Sequence, residues 1–278
     1  MTLTINTNIS SLIVQKNLNS ATTSLNSAIE RMSTGYKINH AKDNAAGYSI
    51  AASWDAKLSS LSVASENASM GSDLLQTAEE NYGLITDHLQ RVRDLTEQAA
   101  NGTYGTDSLE AIKSEMTARL NEIDRIAANC EYNGIDLMKG HDAINIQVGI
   151  TKDEKITLPD TLFATVSTQE LLGKSITEFV KVAGATATAA DQLATIDSAI
   201  ANISSRVTNI GAAQNRLDSA VSSINVQTEN LSSSLSTIKD ADVAEESSNY
   251  IKAQILQQAS ATLLATANQS PSIALSLI

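Results

Sequence analysis

The chain has 278 residues, with 19 Lys and Arg against 31 Asp and Glu, giving a formal net charge of −12. That balance argues against nucleic acid or an anionic membrane as the main partner, since both need a basic face; no stretch approaches the roughly 18 consecutive apolar residues of a membrane span, and the single cysteine, Cys130, excludes an internal disulfide and a cysteine-ligated zinc site. Hydrophobic residues make up 42 % but aromatics only 3 %, and the prolines fall late, at Pro159 and Pro271, so the composition calls for long helices packed through Ala, Leu, Ile and Val.

The N-terminal sequence MTLTINTNIS has neither the basic nor the apolar region of a secretory signal, which by itself predicts a cytoplasmic protein. The first predicted element is a helix on which Ser11, Val14, Leu18, Ala21, Leu25, Ala28 and Met32 repeat at heptad spacing. Gly35 is placed to end it, and Asp43 or Asn44 to cap the next. The second helix carries a long seam through Leu61, Ala64, Ala68, Gly71, Leu75, Ala78, Tyr82, Ile85, Leu89, Val92, Thr96 and Ala99, and Asn101-Gly102 closes it. A third helix, with Leu109, Ile112, Met116, Leu120, Ile123 and Ala127 on one side, is expected to stop at Asn133-Gly134. Residues 143–150 alternate strictly, and with 156–158 they predict a β-hairpin closed by Pro159. Residues 160–190 are mixed, with a short helix expected near 169–172.

The strongest periodicity follows. Leu193, Ile196, Ile200, Ile203, Val207, Ile210, Gln214, Leu217, Val221, Ile224, Thr228, Leu231, Leu235 and Ile238 keep alternating steps of three and four. At the C-terminus, Ile251, Ile255, Ala259 and Leu263 make a narrower stripe that runs into SPSIALSLI. Seams as thin as the two terminal ones bury little surface, so neither terminal helix should be stable alone, and both are expected to be disordered in a free monomer. The fold class expected is mainly α: a long antiparallel helical bundle or coiled-coil rod, with a small β-hairpin region and a terminal helix pair.

Catalysis finds no support. His40, His88 and His141 are isolated, and His88 is expected on an exposed helix face. Leu172-Gly173-Lys174-Ser175 ends like a phosphate-binding loop, but Thr168 occupies the required upstream glycine position and no strand precedes it. Cys130, at the end of the third helix, reads as a buried or incidental thiol. No cofactor or metal is expected.

Two segments at opposite ends of the chain resemble the termini of bacterial flagellin: INTNISSLIVQKNLNSATTSLNSAIERMSTGYKINHAKDNAAGYSIA (5–51), and NRLDSAVSSI with DADVAEESSNYIKAQILQQASATLLATANQSPSIALSLI (within 215–278). LQRVRDLTEQAANGTYG (89–105) and RLNEIDRIAANCEYNGIDLM (119–138) are similar to the same family, and the likeness fades over 140–190. Tyr48 and Cys130 depart from the family pattern, and the short middle leaves no room for the outer domains of larger flagellins. The resemblance implies a terminal helix pair (1–44 with 239–278), a helical rod (45–140 with 185–238) and a hairpin with a variable segment (141–184).

It also implies function. The chain would be a structural subunit that self-assembles into the flagellar filament for motility; the alternative within the family is a hook–filament junction protein. Export by the flagellar secretion apparatus would place it outside the cell, overturning the cytoplasmic expectation. Partners implied are further copies of the chain, hook-associated and cap proteins, the export chaperone and the export apparatus. Leu18, Leu25, Met32, Ile255, Leu263, Leu275 and Leu277 would serve terminal-helix assembly, and Gly35, Asn39, Asp43 and Gly47 the link between domains. Gln90, Arg91, Arg93, Leu95 and Glu115 match the face that packs against the next subunit in flagellins, which is also the face bound by the vertebrate receptor, Toll-like receptor five.

Overall fold

The computed structural model describes residues 8–182 and 186–275, with all of their side chains except those of 182, 186–189 and 270–275. Among these residues the elements run α1 (Ile9–Thr34), α2 (Ala45–Ala100), α3 (Thr106–Asn129), β1 (Glu131–Tyr132), β2 (Ile135–Asp136), β3 (Ile144–Gln147), β4 (Lys155–Leu158), a 3₁₀ turn (Asp160–Leu162), α4 (Thr168–Leu172), α5 (Ile176–Val182), α6 (Thr186–Lys239) and α7 (Val243–Leu275). They group into two compact units, residues 59–228 and the described residues before and after them, and α2 and α6 each contribute to both.

In the unit 59–228 the α2 seam read from sequence is buried at every position from Leu61 to Ala99. Leu74 and Leu95 are buried beside it, widening the apolar face so that α3 as well as α6 packs in one core. The α6 seam is likewise turned inward as far as Thr228. Where Gln214 interrupts it, the side-chain amide donates to Glu79 Oε2 at 2.9 Å, so the polar group enters the interface with a partner.

The third helix ends earlier than its sequence marker. Asn133 (φ 48°) and Gly134 (φ 78°) form the two-residue turn of a hairpin in which Glu131 pairs with Asp136 and Tyr132 with Ile135. Asn and Gly are the residues that tolerate the positive φ of a type I′ turn, so the dipeptide that reads as a helix stop is a hairpin signal. The second hairpin pairs Ile144 with Leu158 and Ile146 with Ile156. Its first strand stops at Gln147, and Ile150, expected on the apolar face, is 42 % exposed. The loop is held instead by its own polar groups: the Gln147 amide donates to the carbonyls of Gly149 (2.8 Å) and Thr151 (2.6 Å), and Thr151 N–H donates to Glu154 (2.9 Å).

The mixed stretch after Pro159 supplies both phenylalanines of the chain, Phe163 and Phe179, and both are buried. The helix expected near 169–172 is α4, capped by Ser167; α5 was not foreseen. Asp124 on α3 accepts from the Thr168 N–H (2.7 Å) and hydroxyl (2.8 Å), and the buried Tyr82 hydroxyl donates to the Leu162 carbonyl (2.9 Å), so the segment is tied to two helices.

In the other unit α1 and α7 run antiparallel. Asn8 Nδ2 donates to the Ala267 carbonyl (2.7 Å), Gln257 Nε2 to Thr22 Oγ1 (3.2 Å) and Arg31 Nη1 to Glu246 (3.1 Å). Ser11, Val14, Leu18, Ala21, Leu25 and Ala28 face α7 as their spacing predicts, but Met32 is 40 % exposed because the inward row passes to Arg31. On α7 the apolar stripe is not the row that meets α1. The inward row is Glu246, Tyr250, Ala253, Gln257, Ser260, Leu264 and Ala267, while Ile251, Ile255, Ala259 and Leu263 are exposed, the last two at the rim of the groove beside α1. Leu18, Leu25, Tyr250 and Leu264 pack in this seam among small and polar residues, and most of the other large apolar side chains of the pair are exposed. Leu277 and the side chain of Leu275 lie outside the described residues.

Candidate functional site

The segment between α1 and α2 is built from the four residues singled out for it. Gly35 adopts φ 75° and donates its N–H to the Arg31 carbonyl at 2.9 Å, ending α1 in the left-handed conformation that glycine takes without strain. The Asp43 carboxylate accepts the N–H groups of Asn39 (3.2 Å) and His40 (2.9 Å), and the Asn39 amide donates to the Tyr36 carbonyl (3.0 Å). Those bonds, the one from His40 foremost, hold the Asp43 carboxyl below the usual carboxylate range. Asn44 caps α2 by accepting the Gly47 N–H at 2.9 Å, and a Cβ on Gly47 would stand 2.7 Å from Ile38 Cδ1. The segment between α6 and α7 lies alongside: Lys37 N–H donates to the Lys239 carbonyl and Ala241 N–H to that of Gly35, both at 2.8 Å. Lys239 Nζ sits 4.5 Å above the Tyr36 ring and 3.1 Å from Asp55. Sequence reasoning placed Tyr36 in the link segment but missed Asp55 and Lys239, which share no periodic pattern with it.

The outward faces of α1 and α7 carry large apolar side chains among polar ones. Ile9, Leu12, Ile13, Ile29 and Met32 on α1, and Val243, Ile251, Ile255, Leu256 and Leu263 on α7, are all 40 % exposed or more. Leu18 and Leu25 stay in the α1–α7 seam, whereas Met32, Ile255 and Leu263 belong to the outward set. A groove of about 730 Å³ between the helices is lined by Ser20, Ser24, Ser27, Asn249 and the Arg31–Glu246 pair together with Ala21, Ala28, Ala253, Leu256, Ala259 and Leu263. An exposed apolar surface of this kind marks an interaction site.

The charged face on α2 and α3 is satisfied within the chain. Arg91 donates in bidentate fashion to Glu115 (2.9 and 3.2 Å), and Arg93 donates to Asp197 at 2.7 Å while standing 3.8 Å from Glu97. The Arg91 guanidinium keeps the Glu115 carboxyl below its ordinary range, and Glu115 raises Arg91 in return. Gln90 is exposed, but Leu95 is 1 % exposed and belongs to the core, so it is removed from this surface: it lies one turn from Val92 on the flank that α3 covers. His88, expected exposed, is half-buried.

Reactive groups do not converge. Among the described residues no three His, Cys, Asp or Glu side chains come together as a metal site would require. Cys130 is buried, and burial with the nearby Asp136 carboxylate pushes its thiol up to about 11, which keeps it protonated and unreactive.

Comparison with known proteins identifies both ends of the chain. The family model for the bacterial flagellin N-terminal helical region matches residues 5–143, and that for the C-terminal helical region matches 193–278. Over the whole of both chains the sequence is 37 % identical to a flagellin of Xenorhabdus nematophila. It is 32 % identical to the flagellar filament 33 kDa core protein of Treponema phagedenis over 99 % of each chain. A flagellin of Salmonella muenchen is 44 % identical over 57 % of this chain but only 31 % of its own length. Among solved structures, a protein assigned as a flagellar hook-associated protein of Vibrio parahaemolyticus superposes with a TM-score of 0.62 at 15 % identity, covering 71 % of this chain and all of that one, a likeness of fold alone.

Proposed function

Since the chain belongs to the bacterial flagellin family, whose members are structural subunits of the flagellar filament, we propose that its copies join through the outward apolar faces of α1 and α7. The observation that carries this reading is that Ile9, Leu12, Ile13, Ile29 and Met32 on α1 and Val243, Ile251, Ile255, Leu256 and Leu263 on α7 stand exposed, while Leu18 and Leu25 pack in a seam otherwise rich in small and polar residues. A heterologous, non-closing contact between identical subunits propagates as a filament. In this reading Met32, Ile255 and Leu263 meet neighbouring copies, Leu18 and Leu25 hold the pair, Leu275 and Leu277 extend the assembly region, and Gly35, Asn39, Asp43 and Gly47 form the link between a terminal pair (1–44 with 239–278) and a helical domain (45–140 with 185–238) bearing the hairpin segment (141–184). Flagellins self-assemble outside the cell, and among the described residues no helix is long and apolar enough to cross a membrane.

The finer partners rest on family membership: an export chaperone and the flagellar export apparatus before assembly, hook-associated and cap proteins at the filament ends, and a structural rather than catalytic role throughout. Gln90, Arg91, Arg93 and Glu115 are assigned to subunit packing and to recognition by Toll-like receptor five. The test of assembly is Ile255→Asp combined with Leu263→Asp. Seeded growth followed by electron microscopy should yield no filaments, while thermal unfolding of the 59–228 unit stays unchanged; long filaments from the double variant would dismiss the assignment. The parent chain should elongate its own seeds without limit, whereas a junction protein would add once and stop. For the receptor, Arg91→Ala should lower potency in a receptor-reporter assay, and unchanged potency would remove that role.

A further inference from the structure

Two Asn-Gly dipeptides occur in the chain, at 101–102 and 133–134. Their shared chemistry is intramolecular. The glycine backbone nitrogen bonds to the asparagine side-chain carbonyl carbon, ammonia leaves, and water opens the resulting five-membered imide at either carbonyl, giving aspartate or isoaspartate. Glycine favours the attack because no Cβ hinders its nitrogen. Sequence ranks the two pairs equally, and the fold separates them.

Asn133 and Gly134 are the central residues of the β1–β2 turn, with φ of 48° and 78°, the values of a type I′ turn. Tyr132 pairs with Ile135 directly beneath them, Leu137 N–H donates to the Cys130 carbonyl at 3.0 Å, and Leu137 and Met138 are fully buried. Swinging the Gly134 nitrogen onto the Asn133 side chain would dismantle this hairpin. Asn101 is placed differently. Residues 101–108 are all exposed, and nothing lies within 4 Å of a Cβ built on Gly102 or Gly105. The bonds that shape the turn are long: Thr103 N–H to Asn101 Oδ1 at 3.3 Å, and Tyr104 N–H to the Asn101 carbonyl at 3.5 Å. Such a turn opens locally at small cost, and the Thr103 N–H draws electron density from the carbonyl under attack.

We propose that Asn101 is a site of spontaneous, fold-directed deamidation and that Asn133 is protected from it. The product places a carboxylate just beyond the C-terminal end of α2, where the helix dipole is already negative and the last turn holds no basic residue to offset it. Isoaspartate also lengthens the backbone of the α2–α3 connection by one carbon.

The full-length protein is incubated in mildly alkaline buffer, folded and in denaturing urea, and the tryptic peptides 94–113 and 126–139 are followed by mass spectrometry with fragmentation. Folded protein should convert Asn101 to aspartate and isoaspartate roughly tenfold faster than Asn133, which corresponds to about 1.4 kcal/mol in the barrier; in urea the two rates should converge. Gly102→Ala, which meets nothing in the structure, should slow conversion at Asn101 while leaving the fold intact. Equal rates at both positions in the folded protein, or an Asn101 that converts only in urea, would overturn the proposal.

Discussion

Leu95 and its neighbours show how much one side chain's direction decides. Leu95 is 1 % exposed in the core, whereas Gln90, five residues earlier on the same helix, is exposed. Leu95→Ala should cost about 2–5 kcal/mol through lost burial and the cavity left behind, and Gln90→Ala should stay within about 0.5 kcal/mol; urea unfolding of the two variants measures both. An unchanged Leu95 variant would return that residue to the surface. Glu115 yields a pH prediction. Arg91 lowers its carboxyl in the folded chain, so its contribution is complete above the unfolded value of about 4.3 and is lost as pH falls through the lowered folded value. Both partners are well exposed, so the contribution is small. Chemical-shift titration of Glu115 should show a midpoint below that of a free glutamate, moving up toward it in Arg91→Ala; an ordinary midpoint in the parent chain would refute the coupling.

Among elements, α2 and α6 were legible because a seam of Leu, Ile, Ala and Val repeated over many turns has one physical meaning: it must be buried inside the chain. That rule does not extend to α7. Ile251, Ile255, Ala259 and Leu263 form its apolar stripe, yet the face that meets α1 carries Ala253, Gln257 and Ser260. Hydropathy periodicity marks an apolar face but does not say whether the chain's own helix covers it. The link residues were legible for a different reason, since Gly, Asn and Asp have few backbone roles and Gly35, Asn39, Asp43 and Gly47 fill them. The cation over Tyr36 was not, because nothing in local spacing brings 36 to 239. The glycines within α2 make a prediction at this scale. A Cβ at Gly71 would land on Ile146 Cδ1 with Leu217 close behind, while Gly83 meets nothing within 4 Å. Gly83→Ala should therefore stabilise by about 0.4–1 kcal/mol, and Gly71→Ala should destabilise by about 1–3 kcal/mol through overpacking, less whatever helix propensity returns. Thermal melts of the two variants should shift in opposite directions; a common direction would mean that Ile146 simply moves aside.

For the whole molecule, the contrast lies between a unit that buries its apolar residues and one that displays them. The 59–228 unit encloses a continuous core running from Ala68 on α2 to Leu217 on α6. The terminal pair orders 26 residues in α1 and 33 in α7 around buried Ala21, Ala28 and Ala253, with Glu246 and Ser260 as buried polar members. Fixing a backbone costs about 1–2 kcal/mol per residue, and alanine methyls recover little of that. Each large apolar residue now exposed would contribute about 1.5–3 kcal/mol once covered by a neighbour, so a few such contacts rival the whole stability of an ordinary domain. Dilute monomer should then be cut by protease first within α1 and α7, leaving a resistant fragment close to residues 59–228, and polymerisation should protect both termini and raise helicity. Circular dichroism and limited proteolysis, run on the same sample before and after seeding, read both changes. A monomer already helical and resistant at both ends would mean that the terminal pair needs no second copy, and the outward apolar faces would require another explanation.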